Sequence, residues 1–331
     1  MGDVAMTVPV ILALIRSNPH LQITFLTRPF FAPIFKHVPN LKVYTIDVKG
    51  KHKGILGLYR LSRGLRKIPF TGVADLHNVL RTKILKVFLS GKGLPFLQID
   101  KGRKEKKLLT AWRDKTINPL QTTHERYADV FRQLGYSIEL SPEDVLQRIQ
   151  PSHSVNKYLD NPVLKTIGIA PFAAYEGKMY PSPLMNKILG LLNDTNKYKI
   201  VLFGGGAKEK DYLMGIESAF SHCKNMVGAL PFEDELCLIS NLDLMVSMDS
   251  GNGHLSAMFG IPTLTIWGIT HPFAGFAPFG QNPKLSILAD REQYPMIPTS
   301  VYGNKFPKGY ERVMETIRPQ DVVNTIESIL G

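Results

Sequence analysis

The sequence predicts an α/β protein made of two successive units, each a parallel sheet covered by helices. Short β-branched or apolar runs alternate with helical periodicity along the chain, the pattern of crossover helices between parallel strands. Its 331 residues suit about two domains of ordinary size. The alternation pauses over 150–165, where Pro151, Ser152, Ser154 and Pro162 form a turn-rich join. We therefore expect one domain over 1–155 and a second over 156–331. With 44% hydrophobic and 21% charged residues, a disordered chain, a collagen and a coiled coil are excluded.

Each element has a local reason. Thr7–Ser17 is apolar and too long for a typical strand, so it reads as a helix. It begins almost at once after Met1-Gly2-Asp3, whereas a Rossmann-like domain opens with a strand feeding such a glycine turn. Either the start lies too far downstream or the first sheet lacks a central strand. Gln22–Thr27, Lys42–Ile46, Val73–Leu76 and Pro95–Ile99 are short strand-like runs. Ile55–Lys67, Leu80–Leu89 and Thr123–Leu134 have helical spacing. In the second half, Thr166–Ala170, Lys199–Phe203, Leu242–Ser247 and Thr263–Trp267 read as strands. Pro183–Asn193, Lys208–Ala219, Phe232–Ser240 and Gly253–Phe259 read as helices, and a final helix at the C-terminal end of 156–331 is expected to pack back on the N-terminal domain.

Charge is unevenly divided. Residues 1–150 hold 25 Lys and Arg against 11 Asp and Glu, and residues 151–331 hold 15 against 17. An anionic partner for one half follows: nucleic acid, an anionic lipid surface, or a phosphorylated or carboxylated substrate. The excess clusters at Lys49, Lys51 and Lys53, at Arg60, Arg63, Arg66 and Lys67, and over Lys101–Lys107. Ile55, Leu58, Leu61, Leu65 and Ile68 interleave with the second cluster, which reads as a basic amphipathic helix or as a solvated face over a core. Nucleic acid is not expected, because neither an interleaved aromatic platform nor a binding motif is present. Cys223 and Cys237 cannot make a disulfide framework or a four-ligand zinc site, so a reducing cytoplasm is expected. The longest apolar run, Val8–Ile15, is too short to span a bilayer, and no signal peptide is read.

Chemistry concentrates at strand ends. Val246-Ser247-Met248-Asp249-Ser250-Gly251-Asn252-Gly253-His254 follows a strand and opens a helix. Its small residues let backbone approach a ligand, and the helix's free amides favour phosphate oxygens. A plain N-cap turn uses the same residue types. Gly251 and Gly253 give half a dinucleotide fingerprint, but Ser256 fills the third position and the ribose-binding acid is missing, which disfavours a dehydrogenase. Phe203-Gly204-Gly205-Gly206 allows a second close approach, without the Gly-Lys-Ser/Thr of a Walker loop. Lys178 follows a strand and is either a diphosphate partner or an exposed loop lysine. Asp3 is either a helix N-cap or a general base. Thr270 and His271 occupy another strand-end loop, and Asp75, His77, Asn78 and Arg81 follow a strand where polar groups can meet an acceptor. No Asp-x-Asp pair of the metal-nucleotide kind lies at a strand end, so no essential metal is expected.

Together these residues resemble glycosyltransferase family 9, the ADP-heptose:lipopolysaccharide heptosyltransferases. The most specific match is Asp249-Ser250-Gly251-Asn252-Gly253-His254 to the family's Asp-Ser/Thr-Gly-x-x-His. Gly2-Asp3, Asp75-Leu76-His77, His124-Glu125-Arg126-Tyr127, Gly204-Gly205-Gly206 with Glu209, and Trp267-Gly268-x-Thr270-x-Pro272 keep the family's order. Lys178-x-Tyr180-Pro181 resembles its Lys-x-Trp-Pro, with Tyr180 replacing a tryptophan that contacts the donor region.

The resemblance implies the GT-B fold, two Rossmann-like domains facing a central cleft, with the first strand of the N-terminal sheet missing here. It implies inverting, metal-independent transfer of heptose from ADP-heptose to an anionic lipid-linked sugar, by a cytoplasmic protein, peripheral on the inner membrane and needing no cofactor. Asp3 would be the base and Lys178 would stabilise the leaving ADP. Gly204, Gly205, Gly206, Asp249, Ser250, Gly251, Asn252, Gly253, His254 and Thr270 would hold the donor. Asp75, His77, Asn78 and Arg81 would hold the acceptor. The alternatives are another GT-B nucleotide-sugar enzyme, or a catalytically silent carbohydrate- or membrane-binding homologue.

Overall fold

A computed structural model of the chain describes residues 1–90, 93–113, 115–160 and 163–331. Pro162, assigned to the join, lies outside them. In chain order the elements are α1 (Gly2–Ala5), α2 (Thr7–Ser17), β1 (Ile23–Thr27), β2 (Leu41–Thr45), α3 (Gly54–Leu65), β3 (Val73–Asp75), α4 (Leu80–Leu89), β4 (Phe96–Gln98), α5 (Arg103–Leu109) and α6 (Thr123–Gln133). There follow α7 (His153–Asn156), β5 (Lys165–Ala170), α8 (Ser182–Asp194), β6 (Tyr198–Leu202), α9 (Ala207–Ala219), β7 (Cys223–Asn225), α10 (Phe232–Ser240), β8 (Leu244–Met248), α11 (Gly251–Ala257), β9 (Thr263–Trp267), β10 (Ser286–Leu288) and α12 (Pro319–Leu330). The element types match the α/β expectation, with α1, α5, α7, α12, β7 and β10 added to the ranges read from the sequence.

The chain forms two compact units whose borders differ from the expected break at 155/156. The first holds Thr7–Gly102 and Thr123–Asp144; the second holds Gly2–Met6, Arg103–Thr122 and Val145–Gly331. Backbone pairing explains the reassigned segments. The Leu146 amide donates to the Met258 carbonyl at 2.7 Å, and the Leu120 amide to that of Phe273 at 2.9 Å. Lys115 donates to the carbonyls of Met296 and Pro298, and burial lowers its pKa to about 8. Helix α12 packs on α8, and its Val322, Val323 and Ile326 lie in the core of the second unit.

In the second unit, six parallel strands run in the order β10-β9-β8-β5-β6-β7. The four central strands are almost wholly buried, as strands covered on both faces must be. Ile167, Ile169, Leu244, Val246, Met248, Leu264 and Ile266 enter one large core with α8 and α12. Successive side chains alternate between faces, so the aligned Ala170, Ser247 and Thr265 point the other way. That small-residue face lets α11 lie close: a Cβ at Gly253 would sit 2.7 Å from Ser247 Oγ.

The first unit is built differently. β1 pairs with β2 and β3 with β4, both parallel, as two separate two-stranded sheets. Its core gathers Leu58, Leu61 and Leu65 of α3 with Leu85 and Leu89 of α4. Pro9 sits in the first turn of α2, where the amide it lacks would have no helical partner.

Candidate active site

β8 ends at Met248 and α11 begins at Gly251, so Asp249 and Ser250 form the turn between strand and helix. Ser250 occupies the N-cap position with extended backbone, yet its hydroxyl makes no capping bond. A plain N-cap would accept from an amide of the first turn; this hydroxyl is buried without a partner. Two further polar atoms of the predicted donor residues share that condition, His254 Nδ1 and Thr270 Oγ1, and nearby Ser247 Oγ and Thr265 Oγ1 do too. Each unmet buried polar group costs roughly 1–3 kcal/mol. Such groups gathered at the carboxyl ends of β8 and β9 are what a polar ligand at that edge would satisfy.

Lys178 belongs to the same unit and is not an exposed loop residue. Its ammonium pairs with Asp249 Oδ2 at 2.7 Å, and only 14% of its side chain is exposed. Gly303, in the left-handed region at φ +77°, lies against the Lys178 stem, where any Cβ would overlap it. Gly303 is held by its amide on Ser300 Oγ at 3.1 Å. This support was not read from the sequence; its one signal is the turn-forming Tyr302-Gly303-Asn304.

Asp3 lies on α1, which packs on α11 within the second unit. A Cβ at Gly2 would stand 3.0 Å from His254 Cδ2. Burial drives the His254 pKa down to about 4, Asp249 and Asp3 oppose the shift, and Lys178 adds to it. His254 is therefore neutral at pH 7. The structure thus gathers Asp3, Lys178, Asp249, Ser250 and His254, with Gly251, Asn252 and Gly253 in the first turn of α11.

At Gly204-Gly205-Gly206 the chain leaves β6 for α9. The Gly205 amide donates to Glu209 Oε2 at 2.6 Å, and Gly206 caps α9 at φ +87°. His271 is buried; its Nδ1 accepts from the Phe273 amide at 3.2 Å, and burial lowers its pKa to about 4. Tyr180 is a core residue: its hydroxyl donates to the Ile317 carbonyl at 2.6 Å, so replacing the tryptophan expresses itself in packing.

The predicted acceptor residues lie in the first unit. Asp75 is buried and accepts from the amides of His77 and Asn78 and from Gln98 Nε2. Asn78, at φ +42°, donates to the Ile99 carbonyl. Asp75 and Asn78 therefore shape the loop, while His77 and Arg81 are exposed. No group of three or more His, Cys, Asp or Glu among the described residues is placed to hold a metal ion. No helix among them is long and apolar enough to cross a membrane.

A parallel α/β sheet with ligand-seeking groups at its carboxyl edge is the arrangement of nucleotide-sugar glycosyltransferases, and comparisons with solved structures agree on the fold. The chain superposes on a family 9 glycosyltransferase from Veillonella parvula with a TM-score of 0.75 at 18% identity, covering 99% of this chain and 94% of that one. It superposes on the E. coli heptosyltransferase WaaC with ADP at 0.67 and 17% identity, covering 99% and 94%. Residues 58–301 match the profile of glycosyltransferase family 9 (heptosyltransferase), and the chain belongs to that family. In sequence it is 22% identical to lipooligosaccharide heptosyltransferase 2 of Campylobacter jejuni, over 99% of this chain and 96% of that one. It is 21% identical to lipopolysaccharide heptosyltransferase 1 of Campylobacter coli, over 100% and 96%.

Proposed function

We propose that this glycosyltransferase moves heptose from ADP-heptose to an anionic, lipid-linked lipopolysaccharide core sugar, with inversion at the anomeric carbon, at the cytoplasmic face of the inner membrane. The observation that carries this reading is the group of unmet buried polar atoms, Ser250 Oγ, His254 Nδ1 and Thr270 Oγ1, beside the Lys178–Asp249 pair and the helix bearing Asp3. The α11 amides, with Asp249 and Asn252 nearby, receive the diphosphate, and Gly204–Gly206 admit the nucleoside. The acceptor hydroxyl attacks the anomeric carbon opposite ADP, and the bond to the β-phosphate oxygen breaks. Asp3 takes the hydroxyl proton. ADP departs with the electron pair, and Lys178, turning from Asp249 to the diphosphate, neutralises the growing charge. Asp75, His77, Asn78 and Arg81 are assigned to the acceptor. Neither a metal nor a cofactor takes part, so activity withstands EDTA.

The test is transfer from ADP-heptose to a lipopolysaccharide core acceptor, with the anomeric configuration read by NMR. Asp3→Asn abolishes transfer and leaves ADP affinity within a few-fold. Retention of the anomeric configuration, a clear preference for UDP- over ADP-sugars, or full activity in Asp3→Asn overturns the reading.

A further inference from the structure

The first unit carries a surface that the donor chemistry does not use. Helix α3 turns Leu58, Leu61 and Leu65 into the core. A helix packed this way ordinarily shows solvent a polar face. Here the outward face exposes Ile55 (63%), Leu56 (75%) and Tyr59 over the first turns, then Arg60 and Arg63, with Arg66 and Lys67 just beyond. At helical spacing these seven fall in one sector of about 140°. The Tyr59 ring meets Phe88 of α4 edge-on at 5.6 Å, and the adjoining Val87 is also exposed. Single exposed apolar residues need no explanation; a group on one face does.

The charge around this patch has one sign. Between Asp47 and Asp100 the only acidic residue is Asp75, which is buried and occupied by three hydrogen bonds in its own loop. Asp47 is likewise engaged by the amides of Lys49, Gly50 and Lys51. Apolar and cationic side chains sharing one exposed helical face, with a tyrosine among them, match the boundary of an anionic bilayer, where tails, headgroups and phosphates lie within one side-chain length.

We propose that the outward face of α3, with Val87 of α4, is a docking surface for anionic lipid, Ile55, Leu56 and Tyr59 entering the headgroup–acyl boundary while Arg60, Arg63 and Lys67 hold lipid phosphates. This deepens the reading of a lipid-linked acceptor and rests on it for its purpose, but the two fail separately.

The experiment is flotation of the full chain with vesicles of phosphatidylcholine mixed with phosphatidylglycerol, against phosphatidylcholine alone. The chain floats with the mixed vesicles only. Ile55→Asp with Leu56→Asp abolishes flotation at every salt concentration. Arg60→Gln with Arg63→Gln weakens it about fivefold per charge, and added salt weakens the unmodified chain in the same sense. ADP affinity and thermal midpoint stay unchanged in both double variants, which shows that the fold is intact. The Asp variant retains transfer to a delipidated acceptor and loses it to a vesicle-borne one. The proposal is overturned if the unmodified chain stays in solution at low salt, if the Asp variant floats equally well, or if the same residues bind an acidic protein and no lipid. Flotation without any transfer from ADP-heptose would instead remove the donor reading and leave the docking surface standing.

Discussion

The two units use the same secondary elements to different ends. In the second, the sheet is six strands wide and its central strands are buried on both faces. In the first, two pairs of strands stand apart, and four of the five residues of β1 are only half-buried. The wide sheet can seat buried polar groups, including the Lys178–Asp249 pair, at its carboxyl edge. The narrow one commits its buried carboxylate, Asp75, to loop hydrogen bonds and places its charge outside. Burial on both faces therefore separates the unit that seats polar groups inside it from the unit that keeps its charge on the surface.

The largest effect that sharpens this contrast is at Lys178. Lys178→Ala removes the cation proposed to meet the leaving group and is expected to lower kcat by about 10²–10³. It also strands the buried Asp249 and costs about 3–5 kcal/mol in urea unfolding. A loss of activity with unchanged stability would show that the pair is not buried in solution. Gly303→Ala, where φ is positive and Lys178 adjoins, is expected to lower kcat more than it raises KM, with Lys178 displaced rather than removed.

Core truncation comes next. Ile200→Ala lies in the wide sheet and costs about 4 kcal/mol; Leu61→Ala lies under the narrow ones, where neighbours can collapse, and costs about 2 kcal/mol. Urea unfolding of the two variants checks this, and equal costs would break the comparison.

Acid follows. The folded-state pKa of His254 is depressed to about 4 against an ordinary 6.5. Unfolded chains therefore bind the proton first as pH falls. The stabilisation is fully present above pH 6.5 and is lost by pH 4, on the order of 3 kcal/mol. Glu235, raised to about 7 by burial, acts in the opposite sense between 4.5 and 7. The difference between the unmodified chain and His254→Gln isolates the histidine: the variant's stability falls less across pH 6.5–4. The smallest effect is in the first unit. Arg16 pairs with Asp144 at 2.8 Å but is half exposed, so Arg16→Gln costs about 1 kcal/mol.

What the sequence disclosed follows the same division. Strands buried on both faces show as short runs rich in apolar and β-branched residues, so β9 is read at its observed limits and β5, β6 and β8 nearly so. β7 and β10 lie at the sheet edges and are only partly buried, leaving no run to see. Helix α5 is hidden in a basic cluster, of which Lys106 is buried with its ammonium 4.1 Å from the centre of the Phe276 ring. That cluster also belongs to the second unit from Arg103 onward, so charge counted by halves of the sequence misassigns it. Of the site, the Asp249–His254 turn and Lys178 are legible as motifs. Gly303 is not, because its contact with Lys178 is made only by tertiary folding, and neither is the buried setting of His271.

The borders of the units carry a practical consequence. The polypeptide passes from one to the other after Met6, Gly102, Thr122 and Asp144, so no single cut in the gene releases either half intact. Segments of the second unit, Gly2–Met6 and Val145–Gly331, lie on both sides of the first unit in the chain. Its folding must wait until Thr7–Asp144 has been synthesised, and helix α1 finds α11 only after that.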